Sequence, residues 1–242
     1  MNVRITQLDG KLPNLALMRL SRWHRERGHS VHFTRSPYRH LGEQTYDRVY
    51  ASAIFDYSKA HVERLRQEFQ NAIVGGTASG SRVKVEDLIE DAALPGYDDY
   101  PTFDASLGFT QRGCRLSCKF CGVPGKEGRP ESVATINNIW RGTGHPRHIH
   151  LLDNDFFGQP EPQWRERIAE LVDGGFKVCI NQGINVRLIT PESASSLASI
   201  NYRDDSFKTK RLYTAWDNLK DEEVFFKKAL TRSKKRESLR PT

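Results

Sequence analysis

Short apolar segments with the period of strands alternate with segments that have the period of helices along most of the chain. In the first part of the chain, the predicted strands are residues 3–8, 30–34, 48–55 and 72–74. The predicted helices are residues 14–27 and 58–70, the second with Ser58 as its cap. Strands that alternate with helices pair in parallel through crossover connections. Residues 1–94 are therefore predicted to form a Rossmann-like parallel sheet of the α/β class.

A second region with the same rhythm follows a break in the pattern. Residues 95–103 are rich in Pro, Gly, Tyr and Asp and predict a linker. The strands predicted beyond it are residues 105–110, 148–152, 177–181 and 211–216, each followed by a predicted helix. Four successive βα units indicate a partial (β/α) barrel over residues 104–230, with its site at the carboxyl ends of the strands.

The cysteines bring chemistry into this picture. The chain has four, and Cys114, Cys118 and Cys121 follow the first strand of the predicted barrel with the spacing Cys-x3-Cys-x2-Cys. Thiolates are the soft ligands of iron–sulfur clusters. Three of them leave one iron of a four-iron cluster without a protein ligand, and an open iron favours catalysis over electron carriage. Cys179 lies between Val178 and Ile180 in a predicted strand, where a buried structural cysteine is ordinary.

Zinc is the main alternative for the three clustered cysteines. A structural zinc ion takes four ligands, usually from two separated pairs. His145, His148 and His150 are candidates for the fourth ligand, but they lie more than twenty residues further along the chain. We therefore interpret these histidines as surface or strand residues and favour an iron–sulfur cluster.

The residues around the cysteines resemble a known signature. The motif comprises Gly108, Arg112, Gly113, Cys114, Cys118, Phe120 and Cys121, and it is similar to that of the radical S-adenosylmethionine superfamily. Residues 128–132 resemble the segment that leaves the cluster loop in that family. Residues 152–157 resemble a strand end in the branch that carries an N-terminal cobalamin-binding-type domain.

This resemblance implies a 4Fe–4S cluster, bound S-adenosylmethionine, and reductive cleavage to a 5′-deoxyadenosyl radical that acts on an unknown substrate. It places Phe120 near the adenine and makes Asn154 and Asp155 candidates for the methionine ammonium. At the next strand end, Asn181 and Gln182 are candidates for the ribose hydroxyls and Arg187 for the methionine carboxylate. The alternative roles are a turn at residues 153–154 and a surface ion pair for Arg187.

The resemblance also implies an external electron donor of the flavodoxin or ferredoxin type. Two features depart from the family. The loop after the first strand reads Asp-Gly-Lys-Leu-Pro at residues 9–13 and lacks the histidine that would ligate cobalt, so cobalamin is not expected. Cores of this family generally have six βα units, so the four units here predict a C-terminally truncated barrel.

Net charge adds little to the functional prediction. Residues 227–242 carry seven basic residues and one acidic residue, so this segment accounts for most of the chain's formal charge of +7. The segment predicts a solvated, disordered tail over residues 231–242, with non-specific phosphate or nucleic-acid binding as the alternative.

The expected compartment follows from hydropathy and cysteine use. No apolar run approaches the roughly 18 residues that a membrane span requires, and residues 1–10 lack the apolar stretch of a secretory signal. The sequence therefore predicts a cytoplasmic radical S-adenosylmethionine enzyme without a membrane partner. A truncated, non-catalytic iron–sulfur protein is the first alternative, and a zinc-dependent nucleic-acid-binding protein is the second.

Overall fold

The computed structural model describes residues 1–89 and 94–215 of the 242-residue chain. The chain divides into two compact units, Met1–Phe103 and Asp104–Thr242. The last part of the predicted barrel, residues 216–230, and the basic tail, residues 231–242, lie outside the described residues.

The first unit contains a four-stranded parallel sheet. Its elements are β1 (Asn2–Gln7), α1 (Leu15–Glu26), β2 (Ser30–Thr34), β3 (Arg48–Ser52), α2 (Lys59–Glu68) and β4 (Ile73–Gly75). The strand order is β2-β1-β3-β4, and every pairing is parallel. This arrangement confirms the predicted α/β class with an N-terminal parallel sheet.

The two helices of the first unit cover opposite faces of its sheet. The core beside α1 includes Val3, Ile5, Leu17 and Leu20. The core beside α2 includes Val49, Ala51, Val62 and Leu65. Because successive side chains of a strand point to opposite faces, both faces of β1 and β3 are buried, which is typical of a doubly wound sheet.

Residues 95–103, predicted as a linker, pack against the first unit. The Tyr100 hydroxyl donates a hydrogen bond of 2.7 Å to Oε1 of Gln7, and the Tyr100 side chain is almost fully buried. Asp99 forms an ion pair of 2.6 Å with Arg25 of α1. The Tyr- and Asp-rich composition that indicated a linker therefore serves to attach this segment to the sheet.

The second unit contains a second four-stranded parallel sheet and two small strand pairs. Its elements are β5 (Ser106–Gly108), β6 (Gln111–Arg112), α3 (Val123–Glu127), β7 (Glu131–Ser132), α4 (Ile136–Ile139), β8 (His148–Leu151), α5 (Glu161–Asp173), β9 (Lys177–Ile180), β10 (Ile184–Asn185), α6 (Pro191–Ser199), β11 (Asn201–Tyr202) and β12 (Thr214–Ala215).

Strand order in the second sheet follows the chain. The order is β11-β9-β8-β5, so each strand pairs in parallel with its neighbour in sequence, as in a segment of a (β/α) barrel. The prediction of the fourth strand was wrong: β11 takes that place, whereas β12, within predicted strand 211–216, pairs with β10 in a separate two-stranded sheet. Residues 201–202 are too few, and Asn201 is too exposed, to produce a strand pattern in the sequence.

One face of the second sheet packs against helices. Its core includes Ile149, Leu151, Val178, Ile180, Trp164, Ile168, Leu171 and Leu197, which come from β8, β9, α5 and α6. On the opposite face, the ring of Phe207 stacks on His148 at 4.6 Å between ring centroids and meets His150 edge-on at 4.7 Å. Within the described part of the chain, no helix is long and apolar enough to span a membrane.

Candidate metal and cofactor site

The three clustered cysteines lie on a loop whose two ends are held together. This cysteine loop, residues 113–122, leaves β6, and the chain returns through α3 to β7, which pairs antiparallel with β6. Gly113 has a φ of +78°, and a Cβ there would lie 2.2 Å from the carbonyl oxygen of Arg129. Only glycine allows this approach of the two loop ends.

A cavity of about 230 Å³ joins the cysteine loop to the ends of two strands. It brings together seven of the nine residues that the sequence nominated, namely Cys114, Cys118, Cys121, Phe120, Asn154, Asp155 and Gln182. Asn154 and Asp155 follow β8, and Gln182 follows β9. The cavity thus opens at the carboxyl ends of parallel strands, where (β/α) folds place their sites.

Asn181 and Arg187 are not among the described residues that line the cavity. The Oδ1 atom of Asn181 lies 3.1 Å from Nδ1 of His150. The Arg187 Nε donates a hydrogen bond of 3.3 Å to Oδ1 of Asn185, which does line the cavity. Both predicted contacts with the cofactor therefore remain predictions, and the structure shows different partners for these side chains.

The donor set of the cavity suits a cluster. All three thiols are partly buried, and burial raises the pKa of Cys114 above its ordinary value. Among residues 1–89 and 94–215, no group of three or more His, Cys, Asp and Glu side chains is arranged to hold a single metal ion. A cluster does not need such convergence, because each cysteine binds a different iron.

Cys179 lies apart from these thiols. It is fully buried within β9, and burial raises its pKa to about 12. It is not among the described residues that line the cavity with the three clustered thiols. The structure thus agrees with the interpretation of Cys179 as a packing residue.

An ion pair spans the cavity between the cysteine loop and the end of β8. The guanidinium of Arg115 donates two hydrogen bonds to the Asp155 carboxylate, of 2.7 Å from Nε and 2.9 Å from a terminal nitrogen. The Arg115 backbone N–H donates a third, at 3.3 Å. Both residues line the cavity. Asp155, which the sequence predicted as the partner of an ammonium group, is therefore already paired with the guanidinium of Arg115.

A second carboxylate fixes the base of the cysteine loop. Glu127, the last residue of α3, accepts hydrogen bonds from Arg112 at 2.8 Å and from Nδ2 of Asn154 at 2.7 Å. Burial alone would raise the pKa of Glu127, but these donors and the Gly113 N–H hold it below its ordinary value. The ionised Glu127 thus orients Asn154 at the rim of the cavity.

Asp153 is a third carboxylate near the cavity, and it is hydrogen-bonded to the residues that lead into β6. It is 1% exposed and accepts hydrogen bonds from the backbone N–H groups of Thr110 and Gln111 and from the Thr110 hydroxyl. Burial raises the pKa of Asp153 to about 7, and these three donors only partly offset the effect. The contacts attach the end of β8 to the start of β6, which leads into the cysteine loop.

In the first unit, side chains hold the loop after β1 against the residues that follow β3. The Asp9 carboxylate accepts hydrogen bonds of 2.9 Å from the backbone N–H groups of Ile54 and Phe55. Gln7 donates to the carbonyl oxygens of Asp9 and Leu12, at 2.8 and 2.9 Å. These bonds hold the loop at residues 9–13 in place.

Sequence reasoning missed Arg115 and Glu127. Both are charged residues next to the motif, at positions where charge is ordinary in a loop or a short helix. The position of Arg115 directly after the first cysteine was a signal that could have identified it. A carboxylate that is buried at the next strand end needs a cation as its partner. No protein-family model matches this chain, and no curated protein matches it either.

Proposed function

We propose that this chain is a radical S-adenosylmethionine enzyme. Cys114, Cys118 and Cys121 would bind a 4Fe–4S cluster, and the cavity beside them would bind S-adenosylmethionine at the open iron. The main support is that the cysteine loop and the ends of β8 and β9 line one cavity. When bound, the cluster supplies an electron that breaks a carbon–sulfur bond of the cofactor, giving methionine and a 5′-deoxyadenosyl radical.

The side chains of the cavity can bind and orient the cofactor. Phe120 is 72% exposed and offers a free ring face for an adenine. Gln182 and Asn185 carry amide groups that can donate to and accept from ribose hydroxyls. Phe156 and Phe157 form an apolar wall that excludes water from part of the space. These residues would supply position, and the cofactor would supply the reaction.

We further propose that the protein works in the cytoplasm with an external electron donor of the flavodoxin or ferredoxin type. A reducing compartment keeps the three thiols available for iron. The 5′-deoxyadenosyl radical would take a hydrogen atom from a substrate that reaches the cavity. Binding of a nucleic acid through the basic residues 227–242 is a secondary proposal, supported by charge alone.

The decisive experiment is anaerobic reconstitution of the full chain with iron and sulfide, followed by reduction in the presence of S-adenosylmethionine. We expect about four irons per chain, a paramagnetic signal of the reduced cluster, and 5′-deoxyadenosine in the product mixture. A cluster that forms without any 5′-deoxyadenosine would support a non-catalytic iron–sulfur protein instead. Zinc in place of iron after purification would support the zinc-dependent alternative.

Two cysteine variants provide the matched comparison. Cys118→Ala removes a thiol that lines the cavity, whereas Cys179→Ala removes one that is buried in β9. Cys118→Ala should prevent stable cluster binding and abolish cleavage. Cys179→Ala should retain the iron content and the cleavage activity, although the lost packing will lower stability. Equal iron content in both variants would contradict the proposed ligand set.

A further inference from the structure

The loop between β2 and β3, residues 35–46, is fixed from beneath by the buried Arg4, and we call it the cationic loop. One terminal nitrogen of the Arg4 guanidinium donates to the carbonyl oxygens of Ser36 and Tyr38, at 3.0 and 2.9 Å. Its Nε donates to the Glu43 carboxylate at 2.8 Å. Because a buried cation holds both parts of the loop, the outer side chains are presented in defined positions.

The outer surface of the cationic loop carries positive charge without a compensating carboxylate. Arg35 and Arg39 are both exposed. Of the carboxylates that the structure describes, none forms an ion pair with either guanidinium: Arg35 donates to the Gly10 carbonyl oxygen, and Arg39 lies over an aromatic ring. Glu43 is the only acidic residue of the loop, and its side chain is 4% exposed and paired with Arg4. The exposed face of the loop therefore attracts anions.

Two stacking contacts orient side chains of the cationic loop. The guanidinium carbon of Arg39 lies 4.7 Å from the ring centroid of Phe69, which is 3% exposed. The Tyr38 ring packs against the Arg64 guanidinium at 5.0 Å, and Tyr38 is still 49% exposed. Arg64 is itself paired with Glu68 at 2.7 Å, so its charge is balanced. The loop thus presents a half-exposed aromatic ring and, at the next position of the chain, an oriented guanidinium without an ion-pair partner.

These features match the chemistry of a single-stranded nucleic acid. Its phosphates bind to exposed cations, and its unpaired bases have faces that stack on aromatic side chains. Guanidinium groups suit phosphates because their planar array of N–H donors matches the phosphate oxygens. An acidic protein surface would use the cations but would leave the Tyr38 ring without a flat partner, and a duplex hides its base faces in the stack. The observations therefore favour a single strand.

We propose that the cationic loop binds single-stranded nucleic acid, with a base stacked on Tyr38 and phosphates held by Arg35 and Arg39. The contacts are noncovalent and lie within the first unit. This inference goes beyond the proposed radical chemistry and stands without it, because none of these residues is among those that line the cavity at the cysteines. The basic residues 227–242 add phosphate affinity but contain no aromatic side chain.

The test compares two probes of equal charge. One is an oligothymidylate of about ten nucleotides, and the other is an abasic oligomer with the same number of phosphates. Fluorescence anisotropy measures the affinities of the full chain, reconstituted with iron and sulfide, for both labelled probes. We expect the original chain to bind the oligothymidylate at least about fivefold more tightly, as expected for one base–aromatic stack, and Tyr38→Ala to lose this preference. Residues 227–242 act equally on both probes and do not produce the difference.

Arg39→Gln tests the phosphate contact. It should weaken the binding of both probes by similar factors. The slope of log affinity against log salt concentration should become shallower by about 0.7, as expected for the loss of one phosphate contact on a single strand. The matched control is Arg22→Gln, which removes an exposed arginine of α1 that is paired with Glu26 and should leave the slope unchanged. Equal slopes in Arg39→Gln and the original chain would overturn the phosphate contact.

Three further variants isolate the contribution of the Tyr38 ring. Tyr57→Ala removes another tyrosine of the first unit, which is 74% exposed, and it should keep the base preference. Tyr38→Phe retains the ring and should also keep the preference. Tyr38→Leu keeps an apolar side chain beside Arg64 without a flat ring, so it should lose the preference. Tyr38→Leu provides the reading if circular dichroism shows that Tyr38→Ala does not fold.

The outcomes separate a nucleic acid from other anionic partners. Equal affinity of the original chain for the two probes would overturn the inference, and so would a preference that survives in both Tyr38→Ala and Tyr38→Leu. Binding that depends on Arg39 without any base preference would indicate an acidic protein as the partner and would likewise overturn it. A base preference that is lost with the Tyr38 ring and kept in Tyr57→Ala would support the proposed surface.

Discussion

The two parallel sheets of this chain differ at their carboxyl edges. At the carboxyl edge of the first sheet, Asp9 and Gln7 form hydrogen bonds with nearby backbone groups and hold the loop at residues 9–13. At the carboxyl edge of the second, the chain forms the cysteine loop and leaves a cavity of about 230 Å³. Both edges carry buried carboxylates and amides, and only the second carries thiols.

This difference shows that a parallel sheet alone does not make a site. A site can form at the carboxyl edge where a loop is long enough to place metal-binding side chains over the strand ends and is held at both of its own ends. In the second unit, the β6–β7 pair and Glu127 hold the cysteine loop in this way. In the first unit, the loop after β1 is short, and the Asp9 and Gln7 side chains are hydrogen-bonded to backbone groups.

The largest effect is expected at Arg4, which anchors the closed edge of the first sheet. Arg4 is fully buried, pairs with Glu43 at 2.8 Å, and donates to the carbonyl oxygens of Ser36 and Tyr38. Burial alone would raise the pKa of Glu43, but Arg4 and neighbouring donors lower it to about 2. Arg4→Met removes the guanidinium partner of that buried carboxylate, although the Tyr46 hydroxyl and the His40 N–H still donate to it, and should cost about 3–5 kcal/mol of stability.

Urea unfolding, followed through hydrogen exchange of β1 and β3, measures this loss. The control is Arg22→Met, which breaks an exposed i,i+4 pair with Glu26 and should cost no more than about 0.5 kcal/mol. Similar losses in the two variants would mean that Arg4 does not anchor the closed edge.

The second prediction concerns pH and the support of the open site. Asp153 has a pKa of about 7 in the folded chain, against roughly 3.9 when unfolded. Between these values the folded state holds a proton that the unfolded state has released. The contribution of Asp153 to stability is therefore fully present below about pH 4 and is lost as pH rises through about 7.

Asp153→Asn should remove this pH dependence while it keeps the contacts. Its amide oxygen can accept from both backbone N–H groups, and its NH₂ can donate to the Thr110 hydroxyl. Hydrogen exchange of β5 and β8, measured from pH 4 to pH 7.5 after correction for intrinsic exchange rates, reports the slope. A slope that is the same in Asp153→Asn and the original chain would exclude Asp153 as its source.

The third prediction separates two glycines of the cysteine loop region. Gly113 and Gly128 have φ values of +78° and +80°, but a Cβ on Gly128 meets nothing within 4 Å. Both alanine variants are strained by about 1–3 kcal/mol, and Gly128, with a ψ of −148°, lies in a region that almost only glycine adopts. Gly113→Ala also collides with the Arg129 carbonyl, which should add about 1–3 kcal/mol and displace the thiols. Iron content after reconstitution should fall in Gly113→Ala and be retained in Gly128→Ala; equal retention would refute the role of the close approach.

The smallest effect on stability is expected at Phe120. Because its side chain is 72% exposed, Phe120→Ala should change stability by less than about 0.5 kcal/mol. Phe156 also lines the cavity but is 2% exposed, so Phe156→Ala should lower the free energy of unfolding by about 3–5 kcal/mol. Phe120→Ala should still weaken S-adenosylhomocysteine binding by about 0.5–1.5 kcal/mol through loss of stacking. Unchanged affinity in calorimetry would remove Phe120 from the adenine contact.

Local patterns in the sequence predicted most elements, because local physics forms them. Residues 30–34 alternate and form β2 as predicted, and Thr190 caps α6 by accepting a hydrogen bond from the Ser193 N–H. Ser58 lies at the predicted N-cap position of α2, but its side chain makes no capping hydrogen bond, because a 3-10 turn at Asp56–Ser58 leads into the helix. Side-chain chemistry alone does not reveal such a preceding turn.

Pairing partners and site geometry were less predictable. The pattern at residues 211–216 indicates a strand but does not say which strand it pairs with, and β12 joins β10 instead of the main sheet. The cysteine spacing pointed to the cysteine loop, yet the position of Arg115 after Cys114 does not say which carboxylate, forty residues away, Arg115 holds. Long-range ion pairs depend on the finished fold, so a single sequence does not specify them.

The turn that carries Phe207 has a consequence for the order of folding. Phe207 has a φ of +58°, a left-handed conformation that a bulky side chain rarely adopts. The Asp204 carboxylate organises the turn through the N–H groups of Lys208 and Thr209, but the ring gains its contacts only against His148 and His150 of β8. We therefore expect this turn to close late, after β8 and β9 have paired, and to open first when the second unit unfolds.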